Sequence, residues 1–186
     1  PTRHGIVMHR LVYETVMPDG RPTVASGLVA LPRGVREPRA VVSWHHGTTS
    51  LRADAPSNKH LFNGVLPAAV FAGHGHVLLA PDYYGLGVST ERHLYYVTEH
   101  MTTVLVDFVG AARRALLAAG VVVPRDLMLA GFSQGGHATL ALHRAIERSP
   151  IDGFDVRASA PIAGPVDLHD IGLRGALAGG SKHCAL

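Results

Sequence analysis

The stretch AGFSQGGHATLALH (residues 130–143) decides how this chain is read. An apolar run, DLMLAGF (Asp126–Phe132), leads straight into Ser133, and an amphipathic run, QGGHATLALHRAIERS (134–149), leaves straight after it. In a chain with 21 glycines a Gly-x-Ser-x-Gly match alone is modest evidence. A strand ending and a helix starting on either side of the serine are a stronger signal, because that sharp turn exposes a nucleophile above a sheet. The glycines have steric roles in such a turn. It leaves no room for Cβ atoms at Gly131 and Gly135, and Gly136 lets the helix lie close to the strand. Ser133 is therefore the candidate nucleophile. Gln134 offers an oxyanion its backbone N–H and the dipole of the helix behind it. The competing reading is a buried serine in a glycine-rich turn.

Working outward, two alternating segments at 5–16 and 23–32 flank MPDGRP, where Pro18 fixes φ and Gly20 tolerates positive φ; a hairpin is expected. AVVSWHHG (40–47) is a short apolar run bounded by Pro and Gly, the character of a strand buried on both faces. HVLLAPD (76–82) and VRASAPIAGP (156–165) are further short runs of strand character. Between them, 58–75 reads as a helix capped at Ser57 or Asn58 and interrupted at Pro67, and 96–120 as a long helix. A hairpin followed by alternating strands and helices predicts an α/β domain with a mostly parallel sheet and helices on both faces.

Composition narrows the function classes. With 186 residues and 47% hydrophobic content, the chain can bury one substantial core. A net charge of +3 and scattered rather than clustered arginines give no nucleic-acid footprint. Cys184 is the single cysteine, which excludes an internal disulfide and a cysteine-based zinc site. The 13 histidines include no HExxH, so neither a metal nor a cofactor is expected. No apolar run approaches the roughly 20 residues of a membrane span. Pro1 opens the chain with no signal-peptide pattern, so a processed, trimmed or partial sequence is expected and the compartment stays open.

A second oxyanion donor is expected from HHGTT (45–49), where Gly47 lets the loop turn so that the N–H of Thr48 faces the nucleophile. His45 and His46 precede Ser133 in the chain and read as loop-orienting or core histidines rather than as the base. His137 leans back beneath the turn. YYGLGVS lacks the third glycine and the prompt helix of a dinucleotide loop.

SWHHGTTSLRADAPS, LLAPDYYGLGVS, LAGFSQGGHATLALH and ASAPIAGPVDL, in that order, resemble the secretory-lipase-like group of α/β-hydrolases, which has fungal and bacterial members. The resemblance covers about residues 41–168. It implies an α/β-hydrolase fold, hydrolysis of small-molecule or lipid carboxylic esters through a Ser, Asp, His triad, Ser133 as nucleophile, and Thr48 and Gln134 as oxyanion positions. It also implies secretion. RHLYY (92–96) departs from the His-Pro-Tyr that the group often shows.

In that group the acid and the histidine follow on later strands. The expectation is thus an N-terminal part of an α/β-hydrolase domain over 1–168, a tail over 169–186, and C-terminal strands missing. Asp167, His169, Asp170 and His183 keep the order serine, acid, histidine, with Asp167 and His183 the weak in-chain candidates. A chain stopping there is expected to be an impaired esterase and to leave the strand near Ala158 as an exposed edge. A non-catalytic remnant and an acyltransferase or amidase on the same scaffold are the alternatives.

Overall fold

In the computed structural model, which describes residues 1–167 and Arg174, six strands form one sheet in the order β1-β2-β4-β3-β5-β6. The tail expected over 169–186, and with it His169, Asp170, His183 and Cys184, lies outside the described residues apart from Arg174. β1 (Ile6–Val16) and β2 (Pro22–Pro32) are the expected hairpin, antiparallel from Ile6 opposite Pro32 to Val16 opposite Pro22. Its turn works as the sequence indicates: Gly20 takes φ 81°, and Asp19 accepts a hydrogen bond from the Arg21 N–H at 3.0 Å.

β3 (Val41–His45), β4 (Val77–Pro81), β5 (Asp126–Phe132) and β6 (Asp155–Ile162) run parallel to one another. β2 joins them antiparallel on β4. Alternate residues of β4 serve opposite faces. Val77 and Leu79 pack with α2 (Thr98–Ala118) and α3 (Gln134–Arg148), while Leu78 and Ala80 pack with Ala68 and Ala72 on the other side. Helices therefore cover both faces of the sheet, as expected for the α/β-hydrolase fold, and no helix among the described residues is long and apolar enough to cross a membrane. Among the described residues β6 is the last strand at its end of the sheet.

The segment expected as one broken helix is four short pieces: 3₁₀ turns at Pro56–Asn58 and Ala72–His74, a π turn at Leu61–Val65, and α1 (Leu66–Phe71). Pro67 sits in the first turn of α1, where its missing N–H costs nothing, so it starts a helix rather than interrupting one. The cap also differs. Lys59 turns the chain at φ 59°, and the His60 side chain accepts from the Asn63 N–H. The Ser57 N–H instead goes to Asp82, a buried carboxylate that also accepts from the Ser26 hydroxyl at 2.5 Å and so ties this segment to β2 and β4.

Two packing details hold the site-bearing ends of the strands. On β2, a Cβ at Gly27 would lie 2.4 Å from the ring of Phe108, a fully buried α2 residue that packs on Tyr13. At the end of β3, a buried relay joins strand to helix. The Thr139 hydroxyl donates to the Gly135 carbonyl at 2.8 Å, so it accepts from His45 Nδ1 at 2.8 Å, and His45 Nε2 accepts from the Ser43 hydroxyl at 3.0 Å. Burial, with His46 adding a smaller push, lowers the His45 pKa to about 3, so the ring is neutral in the fold.

Phe108→Ala is expected to cost about 3–5 kcal/mol in urea denaturation. Gly27→Ala should cost about 1–3 kcal/mol. The double variant should cost at least about 1 kcal/mol less than their sum, because the added methyl then fills the vacated space. For His45 the folded pKa lies below the ordinary value of 6.5, so the unfolded chain takes up the proton first. Stability is then full above about pH 6.5 and declines as pH falls towards 3, by an amount on the order of 4 kcal/mol. His45→Asn should be less stable at pH 7 and should lose that part of the slope when denaturation is measured from pH 7 to pH 4.

Candidate active site

Ser133 occupies the residue between β5 and α3 with φ 55° and ψ −117°. This is a costly backbone state for a residue with a Cβ, on the order of 1–3 kcal/mol, and it persists only where the surroundings enforce it. Here they do. The Ser133 N–H donates to the Ile162 carbonyl at 2.9 Å, and its own carbonyl accepts from the N–H groups of Gly136 at 2.8 Å and His137 at 3.3 Å. The glycines are required by contact. A Cβ at Gly131 would stand 2.2 Å from the Gly135 carbonyl oxygen, one at Gly135 would stand 1.9 Å from the His45 carbonyl oxygen, and one at Gly136 would stand 2.7 Å from the Ile162 carbonyl oxygen.

The HHGTT loop reaches the same place from β3. A Cβ at Gly47 would lie 3.8 Å from that of Ser133, so loop and serine are neighbours. Ser133 and Thr48 line one cleft of about 660 Å³, together with Trp44, Phe62, Tyr95, Phe132 and Ile162. The Thr48 hydroxyl is 2.9 Å from that of Tyr95, which fixes the loop across the cleft. Gln134 follows Ser133 as the first residue of α3, where backbone N–H groups have no acceptor within the helix. Its buried side chain lies 3.4 Å from His93 Nε2, and His93 in turn donates through Nδ1 to the Tyr84 carbonyl at 2.8 Å.

The histidines near the serine are engaged elsewhere. His45 belongs to the buried relay described above. His46 is buried and stacked on Tyr83 at 4.2 Å, with Nδ1 2.7 Å from the Gly47 carbonyl and Nε2 3.3 Å from the Asp82 carbonyl. Burial lowers its pKa, opposed by those two backbone contacts. His137 faces the Thr98 hydroxyl at 3.1 Å and the Pro165 carbonyl at 3.2 Å. Asp167 is described and has interactions of its own.

Tyr96 is a contact that motif reading passes over. Its ring stands edge-on to Tyr95 at 4.3 Å and to His137 at 5.2 Å. Burial first, and then the Tyr95 hydroxyl, push its pKa up to about 12 against the opposing pull of Ser133, so the phenol keeps its proton at neutral pH. Tyr96 also holds φ 56°, a second enforced left-handed residue beside the first. The available signal was the Tyr-Tyr pair at 95–96, in the segment where RHLYY departs from the pattern it resembles.

No family model matches the sequence, and no curated protein matches it. Solved structures do. A candidate hydrolase from Legionella pneumophila superposes with a TM-score of 0.83 at 30% identity, over 90% of this chain and 45% of that one. The rice cell wall degrading esterase LipA from Xanthomonas oryzae superposes with a TM-score of 0.79 at 30% identity, over 88% and 44%. Candida antarctica lipase A shares the fold with a TM-score of 0.57 at 18% identity, over 81% and 36%. The chain thus spans less than half the length of each of these proteins. The strand order, the enforced turn at Ser133 and these likenesses give the described residues the α/β-hydrolase fold.

Proposed function

We propose that this chain carries the nucleophile and oxyanion half of a serine carboxylic-ester hydrolase of the esterase or lipase kind. The observation that supports this most directly is the enforced left-handed backbone of Ser133 at a strand-to-helix turn beside the Thr48 loop. In this reading the Ser133 Oγ attacks the ester carbonyl carbon and its proton passes to a general base. The carbonyl oxygen becomes an oxyanion held by the backbone N–H groups of Thr48 and Gln134. Collapse of the tetrahedral intermediate breaks the bond to the alcohol oxygen, which leaves with the proton. Water then hydrolyses the acyl-enzyme and restores Ser133.

His45 is unsuited to be the base, because it is neutral, buried and bonded through both ring nitrogens. Asp167 and His183 are the in-chain pair that keeps the order serine, acid, histidine; His183 lies outside the described residues. Tyr96, whose phenol keeps its proton, stands against Tyr95, a residue of the cleft wall, and against His137. The apolar walls formed by Trp44, Phe62, Phe132 and Ile162 suit the acyl part of a small-molecule or lipid ester.

Ser133→Ala is expected to lower hydrolysis of p-nitrophenyl esters by at least a hundredfold, the scale of losing a nucleophile even where its activation is partial, and to abolish labelling by a fluorophosphonate. Equal rates from the two chains would remove Ser133 from the reaction. Gly135→Ala, which forces a methyl against the His45 carbonyl, should reduce labelling strongly and lower stability by about 1–3 kcal/mol. Product analysis with added alcohols or amines separates hydrolysis from acyl transfer.

A further inference from the structure

Among the described residues β1 has a partner strand on one side only, so its other edge carries backbone groups that no strand pairs. The ends of the hairpin show which groups these are. The Met17 N–H donates to the Arg21 carbonyl at 2.9 Å, and the Arg33 N–H donates to the Gly5 carbonyl at 2.7 Å. Bonded and non-bonded positions alternate in an antiparallel pair, so the odd-numbered residues of β1 bond to β2. The even-numbered ones, from Ile6 to Val16, present N–H and C=O outwards. Such an edge is ordinarily blunted by a proline, a lysine or a bulge. β1 has none of these, and its 11 residues pair with β2 without a break. The even-numbered side chains share one face. Arg10 and Glu14 are exposed there, as are Val12 at 51%, Val16 at 46% and, beside Glu14 on β2, Val24 at 43%. Arg10 meets Asn58, and neither Arg10 nor Glu14 forms an ion pair among the described residues.

We propose that this edge is a self-association surface, on which β1 pairs antiparallel with β1 of a second copy about a two-fold axis at Val12. The charge pattern identifies the occupant. Met8, Arg10, Val12, Glu14 and Val16 read apolar, positive, apolar, negative, apolar, which complements its own reverse. Val12 then faces Val12 of the second copy, Arg10 faces its Glu14, and Met8 faces its Val16. The outward groups bond only when even-numbered residues stand opposite even-numbered ones, which leaves few registers. An axis at Arg10 or Glu14 sets like charges face to face, and an axis at Leu11 or Tyr13 sets both charges against apolar side chains. Val12 alone matches charge with charge and apolar with apolar, along about ten backbone hydrogen bonds. The two-fold uses the edge of both copies, so association at this surface closes at two. Three strands separate β1 from β5, which leads into Ser133, so the pairing is independent of the hydrolase reading.

The test combines sedimentation velocity with site-directed crosslinking. The chain should sediment as a concentration-dependent dimer. Arg10→Glu and Glu14→Arg, each alone, should raise the dissociation constant at least about tenfold, because two like-charge pairs replace two opposite-charge pairs. An equal mixture of the two variants should restore the dimer, since every facing pair is again of opposite sign; chains that had failed to fold would not recover in this way. For crosslinking, single cysteines are placed in a Cys184→Ser background and treated with a short bis-maleimide. Val12→Cys, on the axis, should link into dimers. Val24→Cys, also exposed but roughly 20 Å from its copy in this arrangement, should not. A monomeric chain, a mixture no stronger than its components, or Val24→Cys linking as readily as Val12→Cys would overturn the proposal.

Discussion

At the junction of β3, β5 and α3 the backbone of Gly135 lies so close to the His45 carbonyl that no side chain fits between them. The rest of the site depends on this contact. It draws the first turn of α3 against the end of β3 and leaves Ser133 to bridge β5 and α3 in a backbone state it would not choose alone. The relay from Ser43 through His45 and Thr139 to the Gly135 carbonyl secures the same contact with hydrogen bonds. A neutral imidazole suits this position because it donates on one side and accepts on the other, which a buried imidazolium could not do.

Steric exclusion and buried polarity divide the work. Glycines at 131, 135 and 136 set how near the elements approach, while the relay and Asp82 set which way they face. The result is a polar edge to the cleft, made of Ser133, Thr48 and Tyr95, against apolar walls from Trp44, Phe62, Phe132 and Ile162.

Much of this was legible in the chain because local rules and tertiary needs agree. The hairpin follows from Pro18 and Gly20, and the buried strands follow from short apolar runs. The bounds of β5 and α3 follow from the change of period at Ser133. The segment 56–74 was less legible. Its apolar spacing suits a helix, yet Lys59 turns left-handed and Gly64 passes close to the Pro56 carbonyl, so the chain breaks into short turns. Tyr96 was not legible either, because its partner His137 is distant in the chain and no spacing rule joins them.

By itself the sequence determined the alternation of strand and helix, the hairpin and the place of a strand-to-helix turn at Ser133, since all three rest on periodicity and on glycine or proline conformation within a few residues. Only the tertiary structure decided which partners hold the neutral ring of His45, how close the Gly47 loop comes to that turn, and that Tyr96 stands against His137 beside it. These are contacts between segments roughly 40 to 90 residues apart, whose geometry is set by the order of strands in the sheet and by close packing across it.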